Sequence, residues 1–447
     1  MISQEQVFQT FFSEAAPFID VQKIYTSWLQ HAEYYDVNHW LLPLPPWAQR
    51  PYDETGLQAW QTLQKDPLVV DSLRPMCIYM HIPFCDSKCG FCDSYSFQIK
   101  AHGEEHVRTY VNLLCKELML WSEKCHLGRR PVTTVHLGGG TPGFLDERSF
   151  AQLVQTVEKY FSVSEQTEWA LETTVSSLTP SLISELHAMG FRRLHLGVQT
   201  LEDESRRAIG RRCSSPQVLS KICQMRSLGW VVSVDLICGL PFQTVSGLLE
   251  GIKMLIGAGT NGFSLYELLI YPQNRKWAER HGLIHRDHLF NYLMFQAGAK
   301  LLSDYGYQKN LFNHWADDQD KNIYFTFPVR GEDCLAVGAI ADGVFGNYHY
   351  RHPKYAEYRR LTRDDFPGLE GGLRRTPWEE KKHPRIVDIL SAHFSPDGFE
   401  QINNRLIPRW LQCKLIERQP NGDFKLTDSG SWFAGNMVAE LDNPPDT

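Results

Sequence analysis

Three cysteines, Cys85, Cys89 and Cys92, stand in a C-x3-C-x2-C spacing within Met76 to Ser94, MCIYMHIPFCDSKCGFCDS, just after an apolar run that reads as a buried strand. Thiolates this close on one loop can converge on a soft-metal centre, and cube-shaped iron–sulfur clusters are held by cysteine thiolates. Three ligands for four irons leave one iron open. A molecule bound there through nitrogen and oxygen could take an electron directly from the cluster. Two plainer readings compete. Zinc pairs such a motif with a second Cys or His pair, but the next cysteines, Cys115 and Cys125, fall in an expected helix. Structural thiols buried in a core are the other.

Tyr79-x-His81-Ile82-Pro83-Phe84-Cys85-x3-Cys89-x-Phe91-Cys92 resembles the signature of radical S-adenosylmethionine (SAM) enzymes related to oxygen-independent coproporphyrinogen III dehydrogenase, and the resemblance runs from about Ile78 to the C-terminus. It implies a [4Fe–4S] cluster held by Cys85, Cys89 and Cys92, and SAM on the open iron. Gly138-Gly139-Gly140-Thr141 resembles the glycine motif that contacts the SAM amino group. A phosphate loop is excluded because no Gly-Lys-Ser/Thr follows, while a plain tight turn stays open. Glu172, Gln199, Arg211, Asp235 and the Gly239-Leu240-Pro241 turn stand where the family's SAM contacts stand. Ribose hydroxyls need acceptors and a carboxylate needs a cation, so Glu172, Gln199 and Asp235 suit the former and Arg211 the latter. Tyr79 is expected near the sulfonium and the cluster, and His81 to fix the loop.

Members similar to this chain bind a second SAM. The first expectation is therefore a radical methyltransferase, moving a methyl or methylene group from that second SAM to an sp2 carbon of a planar conjugated acceptor such as a quinone. Tyr266 is expected on the active rim, with Glu267, His314 and His349 as candidate bases. The alternatives are anaerobic tetrapyrrole chemistry, by haem ring opening or coproporphyrinogen decarboxylation, and a haem chaperone. Thr173-Thr174-Val175-Ser176 replaces the acidic or amide residue with proline of the porphyrinogen enzymes, and the arm lacks their arginine-tyrosine segment. An electron donor such as flavodoxin or ferredoxin is implied.

The elements that must position these residues begin at about residue 71. Cys77 to His81, Thr133 to Leu137, Trp169 to Glu172, Arg193 to Gly197, Val231 to Ile237 and Phe263 to Ile270 read as strands. Helical stretches alternate with them: His106 to Lys124, Ser149 to Phe161, Ser181 to Met189, Asp203 to Ile209, Pro216 to Leu228 and Val245 to Ala258. This α/β alternation predicts parallel strands covered by helices, a partial (β/α)6 TIM-like barrel with its chemistry at the C-terminal strand ends. Residues 1–70, rich in proline and tryptophan, read as an N-terminal arm or lid, 71–375 as the barrel with a substrate-side extension, and 376–447 as a winged-helix-like module.

Composition narrows the class. The 447 residues are 43% hydrophobic and 22% charged, ordinary for a globular protein, and the net charge of −7 offers no global field for nucleic acid or anionic lipid. The acid-bearing N-terminal stretch lacks a secretory pattern and no apolar run nears a membrane span, so a cytoplasmic protein is expected. Eleven cysteines without an export signal favour reduced thiols.

Overall fold

The computed structural model describes residues 3–29, 34, 40–92, 94–99, 103–284 and 288–442. Six parallel strands form its centre: β1 (Met76–Ile82), β2 (Val132–Gly139), β3 (Glu168–Thr173), β4 (Phe191–Gln199), β5 (Val231–Cys238) and β6 (Gly262–Glu267). They lie in sequential order, each hydrogen-bonded to the next. Their runs are nearly continuously buried, as strands covered on both faces must be. Helices return the chain between them, and side chains cap the starts of several. Asp146, Thr179 and Thr244 accept from the amides of Ser149, Leu182 and Gly247, which satisfies donors a helix start would leave bare.

The sheet continues beyond the six. A seventh parallel strand, Asp333–Val337, pairs with β1, and the antiparallel strands Asp342–Phe345, Tyr348–Arg351 and Gly371–Arg374 follow. Glu54–Thr55, from the arm, closes that edge. On the other flank His314–Ala316 pairs antiparallel with β6, followed by Gln308–Leu311, giving thirteen strands in one open sheet. The expected α/β partial barrel is therefore present as the parallel part of a larger mixed sheet.

The arm is more regular than its prolines suggest, with helices Gln4–Ala15, Val21–Leu29 and Gly56–Leu63. The expected sixth strand, drawn to Ile270, ends at Glu267 because the chain leaves the ladder there. Residues 377–442 hold a long helix, Pro377–Ser391, a three-stranded sheet turned at Gly422 (φ 93°), and short helices. Two of the short helices are Glu400–Asn403 and Leu406–Gln412. This part packs on the flank of the sheet: buried Lys309 donates to Leu426 O and Asp428, and Gln296 to Asp428 O. No helix of the described residues is long and apolar enough to cross a membrane.

Candidate functional site

A cleft opens at the C-terminal ends of the parallel strands. Cys85, Cys89 and Cys92 line it from the loop after β1, Gly139, Gly140 and Thr141 from β2, Glu172 from β3, Gln199 and Arg211 after β4, and Asp235 from β5. Residues far apart in sequence meet because parallel strands bring all their C-terminal ends to one rim.

Backbone bonds lace the cysteine loop to the glycine loop. Gly140 N donates to Ile82 O (2.8 Å), Thr141 N to Phe84 O (2.7 Å), and the Thr141 hydroxyl lies 3.4 Å from Cys85 Sγ. On the other side Gly90 N donates to Ile209 O and Asn274 Nδ2 to Phe91 O. Burial pushes the thiols of Cys85 and Cys92 up, and the proximity of the cysteines to one another adds to it, so an electropositive iron is what would draw out thiolates here. Among the described residues no group of three His, Cys, Asp or Glu side chains converges on one ion. A cluster does not require that, since each cysteine binds a different iron.

The glycines have separate reasons. A Cβ on Gly138 would stand 2.9 Å from the Tyr79 ring and press into the Glu172 carboxylate, which accepts from Gly139 N at 3.4 Å. Gly139 has φ 107°, and a Cβ there would meet the His81 ring. Gly138 thus admits Glu172 behind the loop, while Gly139 and Gly140 face the cleft.

The opposite wall carries unmet polar atoms. Gln199, held at φ 71°, buries its Oε1 without a partner, and buried Arg211 Nε is likewise unpaired. Among the described residues Arg211 has no acidic partner; its guanidinium sits 5.8 Å above the Phe91 ring. A hydrogen-bond donor for Gln199 and an anion for Arg211 are what such a wall lacks. Asp235 is held on one oxygen by His195 Nε2 at 2.7 Å. The donor set suits a zwitterion bearing a carboxylate and hydroxyls, so the residues present fit SAM beside a three-cysteine cluster.

Beneath the cleft lies an aromatic floor. Tyr79 stacks on Tyr324 (5.1 Å, 15°) and Tyr324 on His136 (4.2 Å, 19°). The Tyr79 hydroxyl lies 3.0 Å from His81 Nδ1, so Tyr79 and His81 form the floor below the glycine loop. His136 was absent from the sequence expectations. It is buried, has no hydrogen-bond partner on either nitrogen, and has Nε2 3.8 Å from Glu172. Burial holds its imidazole below the ordinary range and therefore neutral. Its one sequence signal is its place two residues before Gly138 on an inward-facing strand.

Several expected residues lie elsewhere. Glu267 is buried with both oxygens taken, by Trp40 N (2.7 Å) on one and by His288 and Asn291 (2.8 Å each) on the other, so it ties down the arm and is no free base. His314 is locked between Ser264 Oγ (2.8 Å) and Asp320 (2.9 Å), in a buried network with Arg193 and Ser233. His349 sits on a distal strand and accepts from Arg375, while burial and the Arg375 charge push its imidazole down to about 3. Gly239 forms a turn: its amide donates to Gln243, and Asn291 occupies the space a Cβ would need. Tyr266, by contrast, is half-buried one residue before the C-terminal end of β6, edge-on to Trp40 and close to the cleft carboxylates Asp235 and Glu172, and burial drives its hydroxyl up.

Residues 79–255 match the Radical SAM superfamily. The chain is 23% identical to anaerobilin synthase of Escherichia coli O157:H7 over 405 residues, covering 86% of this chain and 87% of that one. It is 29% identical to the heme chaperone HemW of Buchnera aphidicola subsp. Acyrthosiphon pisum over 238 residues, 53% of this chain and 62% of the chaperone, and so spans less than two thirds of that relative. In fold it is similar to coproporphyrinogen III oxidase (HemN) of Escherichia coli, with a TM-score of 0.74 at 19% identity over 88% of this chain and 95% of that one. The cofactors of the superfamily, a [4Fe–4S] cluster and SAM, are those the cleft fits. The chain therefore carries a radical SAM domain, in a fold similar to that of coproporphyrinogen III oxidase.

Proposed function

We propose that this radical SAM enzyme acts on a tetrapyrrole, with opening of the haem macrocycle as its reaction. The observation that carries the reading is the likeness to anaerobilin synthase, which extends over 86% of the chain and so well beyond the radical SAM domain at residues 79–255. The relatives' names concern haem or a porphyrinogen, which favours this over the methyl transfer to a quinone expected from sequence.

When bound, the cluster supplies an electron and SAM the 5′-deoxyadenosyl radical. Cys85, Cys89 and Cys92 would hold three irons. Arg211 takes the SAM carboxylate, while Gln199, Glu172 and Asp235 orient its amino group and ribose. Glu267, His314 and His349 are engaged elsewhere. The flat Tyr79–Tyr324–His136 stack supplies a wall against which a conjugated ring can lie.

The test is anaerobic incubation of the cluster-loaded protein with SAM, haem and a reductant, using methyl-deuterated SAM. Consumption of haem with release of a linear tetrapyrrole supports the reading. Haem bound and returned intact would instead mean a chaperone. A methylated acceptor, with deuterium delivered into 5′-deoxyadenosine from a second SAM, would restore the methyltransferase.

A further inference from the structure

The cluster loop reaches the surface through a positively charged face, although the chain as a whole is acidic, with a net charge of −7. Three segments meet there. Trp277, on the helix Arg275–Arg280, donates its indole N–H to Ala208 O at 3.1 Å, and its ring fills the space a Cβ on Gly90 would take. Arg212 pairs with Asp86 at 2.8 Å, and Gly210 backs directly onto Cys89. Lys88, Arg207, Lys276 and Arg280 are exposed on these segments and make no ion pair among the described residues, while Arg212 and Arg275 are more than 60% exposed despite theirs. The acids present are few: Asp86 and Glu279 are already paired and Asp203 accepts from Ser215 N, leaving Glu204.

An aromatic anchor accompanies the charge. Phe242 is 59% exposed and sits at φ 60°, a conformation that costs any residue with a Cβ. Its ring meets His281 edge-on, and His281 packs on Trp277, so a row of rings leads from the surface to the cluster loop. An exposed aromatic residue among basic ones is the usual form of a surface that recognises an acidic protein.

We propose that this face docks an acidic one-electron carrier protein of the flavodoxin or ferredoxin class, which gives up one electron as the cluster takes one. The proposal rests on the radical SAM reading, and it requires no contact with SAM or substrate. A carrier that arrives here meets the loop bearing Cys89 and Cys92 beside the mouth of the cleft, which Lys88 and Arg212 also line.

The test is binding of a reduced, acidic flavodoxin to the cluster-loaded protein by surface plasmon resonance at several salt concentrations, with R207E/K276E/R280E and F242S compared with the parent. The triple variant is expected to bind at least tenfold more weakly with a flatter salt dependence, and F242S several-fold more weakly, while cleavage of SAM driven by dithionite stays at the parent rate. Flavodoxin binding and flavodoxin-driven SAM cleavage unchanged in the triple variant would overturn the docking face. Tighter binding of single-stranded RNA than of flavodoxin by the parent would overturn the choice of partner. Absence of dithionite-driven cleavage in the parent would count against the radical SAM reading instead, so the two failures are distinct.

Discussion

His195 Nε2 lies 2.7 Å from Asp235 Oδ1, a bond between neighbouring parallel strands directly below the cleft. Glu172 faces His195 from the other side, on β3. One buried imidazole thus stands between two carboxylates that line the cleft. Burial pushes its pKa down, but the charge and hydrogen bond of Asp235 outweigh that and leave it raised.

A group whose folded pKa is raised stabilises the fold fully below the unfolded value and loses that contribution as pH rises through the folded value. His195→Gln should therefore cost about 2 kcal/mol below pH ~6, and progressively less as the pH passes the raised His195 value. Denaturant melts of both proteins across pH 5 to 9 measure this, and a difference independent of pH would mean that the charge on His195 is immaterial.

Gly138→Ala should leave the fold standing and weaken SAM binding at least tenfold. The added methyl pushes into Glu172 and Tyr79 without altering an ordinary backbone angle, so its effect falls on the cleft. Isothermal titration of the cluster-loaded variant with SAM reads the loss.

Glu267→Ala should release the arm. It removes the acceptor of Trp40 N, His288 and Asn291, a loss of about 3 kcal/mol if each bond contributes ~1 kcal/mol. Limited proteolysis should then cut near residues 40–50 in the variant and spare the parent at that position. Were Glu267 the base, Glu267→Gln would abolish product; the geometry predicts that the variant still forms product.

Arg211→Ala removes a cleft cation that has no acidic partner among the described residues. SAM affinity should fall ten- to hundredfold, as expected for a charge-assisted bond, and Arg211→Lys should recover part of it. Equilibrium binding of SAM at fixed salt distinguishes this from a folding defect, which circular dichroism would report.

Much of this arrangement was legible in the sequence, for a physical reason. Continuous apolar strands followed by helices are buried as a parallel sheet, so Cys85, Gly139, Glu172 and Gln199, each near or just past a strand's end, and Asp235, within the C-terminal half of β5, had to share a rim. What sequence could not supply was pairing at a distance. Asp333–Val337 looks like any short apolar run until it is seen beside β1, and Glu54–Thr55 is too short to announce itself as a strand. Nor does residue type reveal which way a side chain faces. His314 and Glu267 carry the chemistry of bases, but one closes an ionic network inside the barrel and the other secures Trp40. His136, placed on an inward strand, looked like one more polar residue in a β-run, and only the packing of Tyr324 across it shows that it lacks partners.

The measurement that bears most directly on the whole account is the ultraviolet–visible spectrum and 5′-deoxyadenosine yield of protein reconstituted anaerobically with iron and sulfide, parent against Cys85→Ala/Cys89→Ala/Cys92→Ala. The parent should hold four irons, absorb broadly in the visible and cleave SAM on reduction, and the triple variant should do none of these. A variant that still formed 5′-deoxyadenosine, or a parent that took up no iron, would contradict it.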